Sequence, residues 1–357
     1  MIIATHDGTF HADETTACAI ISYIYENCRI IRSRDPRILE GADLIIDVSG
    51  INDARHYDHH SPAFTQVRPN GVRYATAGLM WQKFGQEFLR KLAKQEYEQM
   101  PPEEILKAAF ERIDREIMQL VDLDDNGQLT EYAAEVARAR TPEEEALRDR
   151  LSELYGHMPG IPYIVAMLNL PGATENLQQQ SFSSCVKMLR SILASAALNA
   201  LCTESSIARV TANYHGGELL ILKESLPWTE AVLSCPEVFR DCLLAVFPDR
   251  RMHWRVQSLP VSRAQRFKNR LSAPKAWRGL NFEELDRATG LSHMTFVHRS
   301  GFVGGAECFE DNLKLARLWL KLGKAEQAAE TAQIKQAEQT VQSAQATAAA
   351  SPQPPQS

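Results

Sequence analysis

Side chains that bind metal ions are concentrated in the first sixty residues of this 357-residue sequence. They form three groups, within THDGTFHADE, IIDVSG and RHYDHH: His6, His11, Asp13 and Glu14; Asp47; and His56, Asp58, His59 and His60. Imidazole and carboxylate together suit divalent transition metals such as Mn2+. Two such ions, about 3.5–4 Å apart, can deprotonate a water molecule and stabilise the attacking and leaving oxygens of phosphoryl transfer. The three groups therefore favour metal-dependent hydrolysis over thiol, Schiff-base or serine chemistry.

Each group taken alone also has a purely structural explanation. His6 or His11 would fit a hydrogen-bonded structural histidine, and Asp47 could cap a turn in Asp-Val-Ser-Gly. RHYDHH could be a solvated polar loop or an adventitious metal binder. Because all three groups occur near predicted strand ends, one active site explains them better than three independent structural roles. No GxSxG or GxxxxGK[ST] motif occurs in the sequence, so neither a serine-hydrolase nucleophile nor a phosphate-binding P-loop is predicted in place of the metal site.

The hydrophobic pattern around these groups predicts a parallel sheet. Short apolar segments at residues 2–5, 29–32 and 43–48 are typical of strands, and a helical pattern over residues 14–27 separates the first two. This β-α-β order predicts an α/β fold. Ligands of open parallel sheets bind at the carboxyl ends of the strands, near which all three groups lie.

The rest of the chain is long enough for a second domain, since 357 residues with 44% apolar content can bury more than one core. The pattern predicts helices at 76–84, 87–100, 103–123 and 177–201, a strand at 162–168, and a β-hairpin of 207–214 with 219–223. The helix over 177–201 would bridge the two domains. The last 34 residues contain 18 Ala or Gln, which predicts a frayed helix that passes into disorder.

The charge is distributed unevenly. The net charge of −6, from 45 acidic and 39 basic residues, is unusual for a nucleic-acid binder. However, residues 96–153 contain 17 acidic and 7 basic side chains, whereas residues 250–278 contain 9 basic and no acidic ones. Aromatic residues interleave this basic run, as they do where phosphates are neutralised and bases stack, although most charge runs are solvated faces. The net charge argues against tight non-specific duplex binding and is compatible with binding one strand end.

Cysteine usage and the N-terminus predict an intracellular, reducing location. The seven cysteines are odd in number and never spaced CxxC, which argues against a disulfide framework and a thiolate zinc site. The first residues show no cleavable presequence, and no segment resembles a membrane span, so we expect no membrane partner. The sequence does not distinguish cytoplasm, nucleus and mitochondrion.

HDGTFHADE, IIDVSG and RHYDHH, in this order, resemble the DHH phosphoesterase superfamily, which includes the RecJ exonucleases and the manganese pyrophosphatases. Within it the sequence is most similar to the melanocyte-proliferating-gene family of 3′→5′ RNA exonucleases, formerly labelled metal-dependent protein hydrolases. WRVQSLP, FKNRL, WRGLNFEELDRATGL and FVHRSGFVGGAE extend the similarity to about Leu322. The resemblance implies a DHH catalytic domain at 1–170, a bridging helix and smaller α/β substrate-binding domain at 171–322, and a low-complexity tail at 323–357.

The resemblance also implies roles for the metal-binding groups. Two Mn2+ ions, or Mg2+ as the alternative, would be bound by His6, His11, Asp13, Asp47 and His59, with one further carboxylate from LVDLDDNG. For that carboxylate Asp122 is the first choice and Asp125 the second, with Asp124 left open. Asp47 would bridge the ions, and the catalytic residues would be Asp47, Asp58 and His60, with His60 facing the phosphate. The first motif departs from the superfamily's HxxxDxD, since this chain has HxxxxHxD.

The C-terminal domain would bind the terminal nucleotide. In the DHH-associated domain of the superfamily a Gly-Gly segment contacts the substrate, and we expect a helix from about Ala306 to follow it here. A tight strand-to-helix turn would explain the glycines equally well. The predicted substrate-binding residues are Arg255, Arg270, His298, Arg299, Gly301, Gly304 and Gly305.

The resulting hypothesis is a two-metal 3′→5′ exoribonuclease acting on single-stranded RNA. One alternative keeps the site but assigns it a small phosphorylated metabolite, a dinucleotide or pyrophosphate. Another is a non-catalytic RNA-binding protein with a degenerate site. A homodimer is compatible with the sequence, which does not determine the oligomeric state.

Overall fold

A computed structural model describes residues 1–128, 141, 160–249 and 253–349, with side chains as far as residue 336. The chain divides into two compact units, Met1–Glu204 and Ser205–Ser357. The first contains a parallel sheet and the second a mixed sheet, so the predicted α/β class is confirmed. The division falls inside one long helix, whereas the domain bounds 1–170, 171–322 and 323–357 stay a prediction.

A four-stranded parallel sheet organises the first unit. Its strands are β1 (Ile2–Thr5), β2 (Arg29–Arg32), β3 (Leu44–Ile46) and β4 (His56–Tyr57), in the spatial order β2-β1-β3-β4. β1 pairs with both β2 and β3, and β3 pairs with β4, all in parallel. The three predicted strands are therefore present, and RHYDHH adds a fourth at one edge. Because the strands are parallel, their carboxyl ends meet at one edge of the sheet.

Helices cover this sheet and supply most of its core. They are α1 (Ala12–Ile24), α2 (Pro36–Glu40), α3 (Thr76–Glu96), α4 (Glu103–Ile113), a π-helical turn (Asp114–Met118), α5 (Gln119–Asp125), α6 (Ile161–Met167) and α7 (Glu175–Asn213). The main core joins Ile20 of α1, Trp81 and Phe88 of α3, and Phe182 and Leu189 of α7, all at most 1% exposed. Burial of such apolar surface is the dominant stabilising contribution to folding.

Two predictions for this unit were wrong. Residues 162–168 form helix α6 rather than a strand, and Pro162 lies in its first turn, where the missing N–H costs nothing. The helices predicted at 76–84 and 87–100 are one helix, α3. Gly85 does not break it, because the glycine packs against the Trp81 ring, where a Cβ would lie only 2.7 Å away.

The long helix α7 crosses the division between the units. Among the described residues it is the one helix whose length and composition would allow it to cross a membrane. This is weak evidence, because buried helices of soluble proteins meet the same criteria. Phe182, Val186, Leu189 and Leu193 of α7 all lie in the core of the first unit.

A five-stranded mixed sheet organises the second unit. Its elements are β5 (Leu219–Ile221), α8 (Trp228–Ser234), β6 (Leu244–Pro248), β7 (Trp254–Ser258), a 3-10 turn (Lys275–Trp277), α9 (Phe282–Thr289), β8 (Met294–Val297), β9 (Val303–Ala306) and α10 (Phe309–Ala349). The spatial order is β5-β6-β7-β9-β8, with only β5 and β6 parallel. Trp277, Leu315 and Trp319 fill its core.

Two expectations for this unit need correction. Residues 207–213 are the end of α7, so the predicted hairpin with 219–223 does not form, and β5 pairs with β6 instead. Gly304 and Gly305 lie inside β9, and the following helix begins only at Phe309, so these glycines do not precede a helix at Ala306. The helical start predicted for the tail is present, since α10 extends to Ala349.

Some sequence expectations fall outside the described residues. These are residues 129–140 and 142–159, which carry 7 of the 17 acidic residues of the acidic region, residues 250–252, which begin the basic run, and residues 350–357 of the tail.

Candidate metal-dependent active site

The carboxyl edge of the parallel sheet brings the three sequence groups together. His6 directly follows β1, Asp47 directly follows β3 and Asp58 directly follows β4. Since the strands are neighbours in the order β1-β3-β4, these side chains begin at adjacent positions along one edge. His6, Asp47 and Asp58 are each at most 4% exposed, so the edge is shielded from bulk solvent.

Asp47 adopts an unusual backbone conformation at this edge. Its φ is 55°, in the left-handed region that non-glycine residues rarely occupy, and its backbone N–H donates to the Tyr57 carbonyl at 2.9 Å. Such strain costs about 1–3 kcal/mol and is concentrated at functional sites. The hydrogen bond to β4 therefore holds the Asp47 backbone in this conformation, which directs its side chain into the cluster.

His6 is surrounded by carboxylates. Its Nε2 lies 3.1 Å from Glu14 Oε1 and 3.6 Å from Asp47 Oδ2. Burial lowers the pKa of His6, but hydrogen bonds to Asp47 and Glu14 outweigh it and raise this pKa to about 10. His11 lies beside His6, with the ring centroids 5.7 Å apart, and its backbone N–H donates to Glu14 at 2.9 Å. Glu14 thus both caps α1 and faces the site.

Asp13 is fixed by the beginning of α3. Its two carboxylate oxygens accept hydrogen bonds from the backbone N–H groups of Thr76, at 3.0 Å, and Ala77, at 2.6 Å. These are the unpaired donors of a helix N-terminus, which also carries partial positive charge. Burial and the negative charges of Asp47 and Asp125 nevertheless raise the pKa of Asp13 well above its usual value. The site therefore has more negative charge than its own groups neutralise.

His59 connects Asp13 to the end of α5. Its Nε2 lies 3.0 Å from Asp125 Oδ2, and its Nδ1 lies 3.7 Å from Asp13 Oδ2. Asp125 is therefore brought to the cluster from a segment more than sixty residues further along the chain.

His60 contacts Asp47 and Asp58 from the open side of the site. Its Nδ1 lies 2.8 Å from Asp58 Oδ1 and 3.2 Å from Asp47 Oδ1, while 61% of its side chain is exposed. Hydrogen bonds to both carboxylates raise the pKa of His60 to about 10. Burial raises the pKa of Asp47, but hydrogen bonds from His6 and His60 outweigh it, so that this pKa falls below its usual range. His60 therefore combines a solvent-facing ring with contacts to two buried carboxylates.

The donor atoms fit divalent metal ions. Three groups each have ligand atoms within 4.8 Å of one another: His6, His11 and Glu14; Asp13, His59 and Asp125; and Asp47, Asp58, His59 and His60. Asp47 contacts His6 of the first group and His60 of the third. Mixed imidazole and carboxylate donors suit divalent cations better than soft metals such as Cu(I). Because imidazole binds metals in its neutral form, loading His6 would release its proton.

The site opens into a cleft of about 450 Å³. Its lining consists of His6, His11, Arg34, Asp47, Val48, Gly50, Asp58, His60, Asp124 and Asp125. Burial and the negative charge of Asp125 raise the pKa of Asp124. A cleft of this size, with ligating groups on its floor, can admit a phosphate and an adjoining sugar.

Asp122, the first choice for the additional carboxylate, pairs with an arginine. It is fully buried, lies 2.7 Å from Arg68 Nη1 and accepts a hydrogen bond from the Gly78 backbone at 3.0 Å. Burial raises the pKa of Asp122 to about 7, although Arg68 counteracts the effect. The charge of Asp122 acts on Asp13, and Asp125, the second choice, contacts His59, so the choice between the two as a metal ligand stays a prediction.

Three residues of the site were not selected from the sequence. Glu14 was noticed only as part of HADE, where it also completes a capping box. Thr76 donates its hydroxyl to Asp47 Oδ1 and lies 3.3 Å from His59 Nδ1, and its position at a helix start was the available signal. Arg34 lines the cleft and pairs with Asp7 at 3.3 Å. Its position two residues after the carboxyl end of β2 was the signal available in the sequence.

Two of the predicted substrate-binding arginines in the second unit are engaged within the protein. Arg255 pairs with Asp249 and lies over the Phe296 ring, 4.9 Å from its centroid. Arg270 donates to the carbonyls of Pro260, Phe239 and Cys242.

The remaining predicted substrate residues belong to the glycine-rich segment around β9. His298 and Arg299 are exposed, with His298 Nδ1 2.8 Å from Ser300 Oγ. Gly301 has a φ of 68°, and a Cβ on Gly305 would lie 2.6 Å from the Trp254 carbonyl. A Cβ on Gly304 would lie 3.0 Å from the Phe296 carbonyl, so both strand glycines allow close packing within the sheet.

The chain is similar to known proteins over nearly its whole length. The family model MYG1_exonuc, described as an uncharacterised protein family (UPF0160), matches residues 2–320. The MYG1 exonuclease of Homo sapiens is 30% identical, covering 89% of this chain and 85% of that protein. An MYG1 protein of Schizosaccharomyces pombe is 28% identical, covering 88% and 96%.

Among solved structures, a pGpG-specific phosphodiesterase from Vibrio cholerae covers 91% of this chain and 99% of that chain, with 12% identity and a TM-score of 0.23. This similarity is too weak to support an argument about fold or function. The family match and the relatives do not depend on it, and they agree with the resemblance drawn from the motifs. The chain belongs to the MYG1 exonuclease family.

Proposed function

We propose that this protein is a divalent-metal-dependent exonuclease that removes nucleotides from the 3′ end of single-stranded RNA. The observation that carries the proposal is the convergence of His6, Asp13, Asp47, His59 and Asp125 at one sheet edge. Relatives named MYG1 exonuclease support the reaction class. The basic and aromatic run at 250–278 supports a single-stranded substrate, while the 3′→5′ direction rests on the family resemblance.

Two divalent ions, Mn2+ or Mg2+, would activate a water molecule and stabilise charge on the scissile phosphate. The chain supplies the rest. Asp47, whose carboxylate contacts both His6 and His60, would be one of the residues that hold the ions. Thr76 and the N-terminal turn of α3 orient Asp47 and Asp13, so that the ligands are positioned before substrate arrives.

Two positively charged side chains at the cleft, His60 and Arg34, would act on the substrate itself. His60, whose pKa is raised to about 10 and which faces solvent, would donate a hydrogen bond to the phosphate and supply a proton to the leaving oxygen. Arg34, which lines the same cleft, would neutralise a non-bridging phosphate oxygen.

The product pattern on single-stranded RNA labelled at its 5′ end tests this proposal. With Mn2+ present we expect a ladder of 5′-labelled products that shortens by single nucleotides, and no ladder in EDTA. Immediate release of labelled mononucleotide would contradict the 3′→5′ direction. Hydrolysis of a dinucleotide or pyrophosphate without any RNA degradation would instead support the small-molecule alternative.

A further inference from the structure

A second cavity, of about 580 Å³, lies within the second unit, and the metal-binding groups of the first unit do not contribute to it. It is lined by Gln257, Asn269, Phe302 and, on one side, the adjacent pair Arg266 and Phe267. Among the described residues, no acidic side chain lines it. Its volume is within the usual range for small-ligand pockets.

Phe267 is held in solvent. Its side chain is 92% exposed, the largest exposure of any large hydrophobic residue in the described chain. The Arg266 guanidinium lies over its ring, 5.4 Å from the centroid, and no carboxylate pairs with Arg266 among the described residues. Exposing an aromatic ring is unfavourable, so a ring displayed in this way beside an unneutralised cation indicates a ligand with a flat face and negative charge.

The loop that carries this pair is anchored at its base. The Val261 backbone N–H donates to the Lys268 carbonyl at 2.9 Å, and Pro260 pairs with Asn269 across the loop. Arg270 then donates to the carbonyls of Pro260 and Cys242, which ties the loop to the segment that precedes β6. Arg270 therefore stabilises the loop through these hydrogen bonds.

The remaining lining groups suit a nucleobase. Gln257 and Asn269 carry amides, which pair with base edges, and Phe302 adds a second partly exposed ring. Unstacked bases of single-stranded RNA are typically bound between aromatic rings or arginine planes and hydrogen-bonded along their edges. Arg266, which pairs with no carboxylate among the described residues, provides the accompanying attraction for phosphate.

We propose that this cavity binds one nucleotide of a single-stranded RNA, with the base stacked on Phe267 and a neighbouring phosphate paired with Arg266. Ser300 and Phe302 of the glycine-rich segment form part of its lining, and Arg266 and Phe267 add two loop residues that were not among the predicted substrate-binding residues. The inference rests on the proposed function for its ligand class, and it adds a binding site that determines affinity for the strand.

Equilibrium binding of a fluorescent eight-nucleotide single-stranded RNA to the full chain tests the proposal. The parent protein carries Asp47→Asn, so that cleavage does not interfere. We expect Phe267→Ala to weaken binding about 10-fold or more, as loss of one stacked base does, and Phe267→Trp to retain it. Arg266→Gln should weaken binding and lower its dependence on salt. Adenosine monophosphate should compete with the RNA in the parent and compete less well in Phe267→Ala.

Phe282→Ala is the matched control, because Phe282 is also exposed, at 65%, but lies outside the cavity. It should leave binding unchanged. Unaltered RNA affinity in both Phe267→Ala and Arg266→Gln would overturn the inference and leave a protein partner as the use of the exposed ring. If Phe267-dependent binding is found but the wild-type chain degrades no RNA, the proposed activity fails while this binding site stands.

Discussion

At the scale of single residues, the site depends on groups that hold the ligands as much as on the ligands. Asp13 accepts two backbone N–H groups, and Asp47 accepts the Thr76 hydroxyl. Such supporting hydrogen bonds fix the orientation of a ligand, and their loss typically lowers metal affinity or activity about 10- to 100-fold.

Thr76 allows this support to be tested directly. Thr76→Val keeps the side-chain shape but removes the hydroxyl from between Asp47 and His59. We expect turnover to fall about 10-fold or more, together with weaker binding of Mn2+, because both ligands lose an orienting partner. Thr76→Ser, which keeps the hydroxyl, should recover most of both. Full activity and full Mn2+ affinity in Thr76→Val would show that this hydroxyl positions nothing.

The metal-binding motifs could be recognised from residue types alone, but the choice between Asp122 and Asp125 could not. They are three residues apart at one helix end and so lie on the same face of the helix, which means that helix geometry does not separate them. The difference comes from their partners, since Asp122 pairs with Arg68, a residue more than fifty positions earlier, whereas Asp125 contacts His59. No local pattern reports such a long-range ion pair.

At the scale of elements, a buried arginine connects the helices that complete the site. Arg68 pairs with Asp114 of the π-helical turn at 2.8 Å and with Asp122 of α5 at 2.7 Å, while its guanidinium lies 3.9 Å from the centroid of the Tyr74 ring. Gly78 of α3 makes room for this pair, since a Cβ there would lie 2.1 Å from Asp122 Oδ2. This arrangement sets the direction in which α5 presents Asp125.

Arg68→Met should therefore destabilise the fold. Removing one partner of a buried ion pair leaves uncompensated charge and costs about 3–5 kcal/mol of the free energy of unfolding. Arg90→Met is the control, because Arg90 pairs with Glu103 at the surface, where such pairs contribute about 1 kcal/mol or less. Urea denaturation of both variants measures the difference. Equal midpoints for the two would contradict a structural role for Arg68.

The elements that sequence patterns predicted well are those with one clear periodicity. The strands at 2–5 and 29–32 and the buried stripe of α7 are present. Short β-branched segments were assigned wrongly, since 162–168 and 207–213 have too few residues to separate the helical from the strand period. Val210 illustrates the reason, because its burial against the core of the second unit, not its own propensity, selects the helix.

At the scale of the whole molecule, the acidic and basic groups are concentrated in different places, as the proposed function requires. The net charge of −6 includes buried carboxylates that bound cations would neutralise, and the second unit carries the basic run. A protein with this distribution binds anions locally rather than over its whole surface. We therefore expect RNA affinity to depend moderately on salt, through the few phosphates that it neutralises.

The most direct test of the account is a comparison of wild type with Asp47→Asn in metal content and in degradation of 5′-labelled single-stranded RNA. Asn has nearly the same shape as Asp, so the circular dichroism spectrum and thermal midpoint should stay close to wild type. Asp241→Asn, an exposed substitution in the second unit, is the control and should change neither readout. The account predicts that Asp47→Asn loses bound divalent metal and that its turnover falls about 100- to 1000-fold. Wild-type metal content and turnover in Asp47→Asn would contradict it.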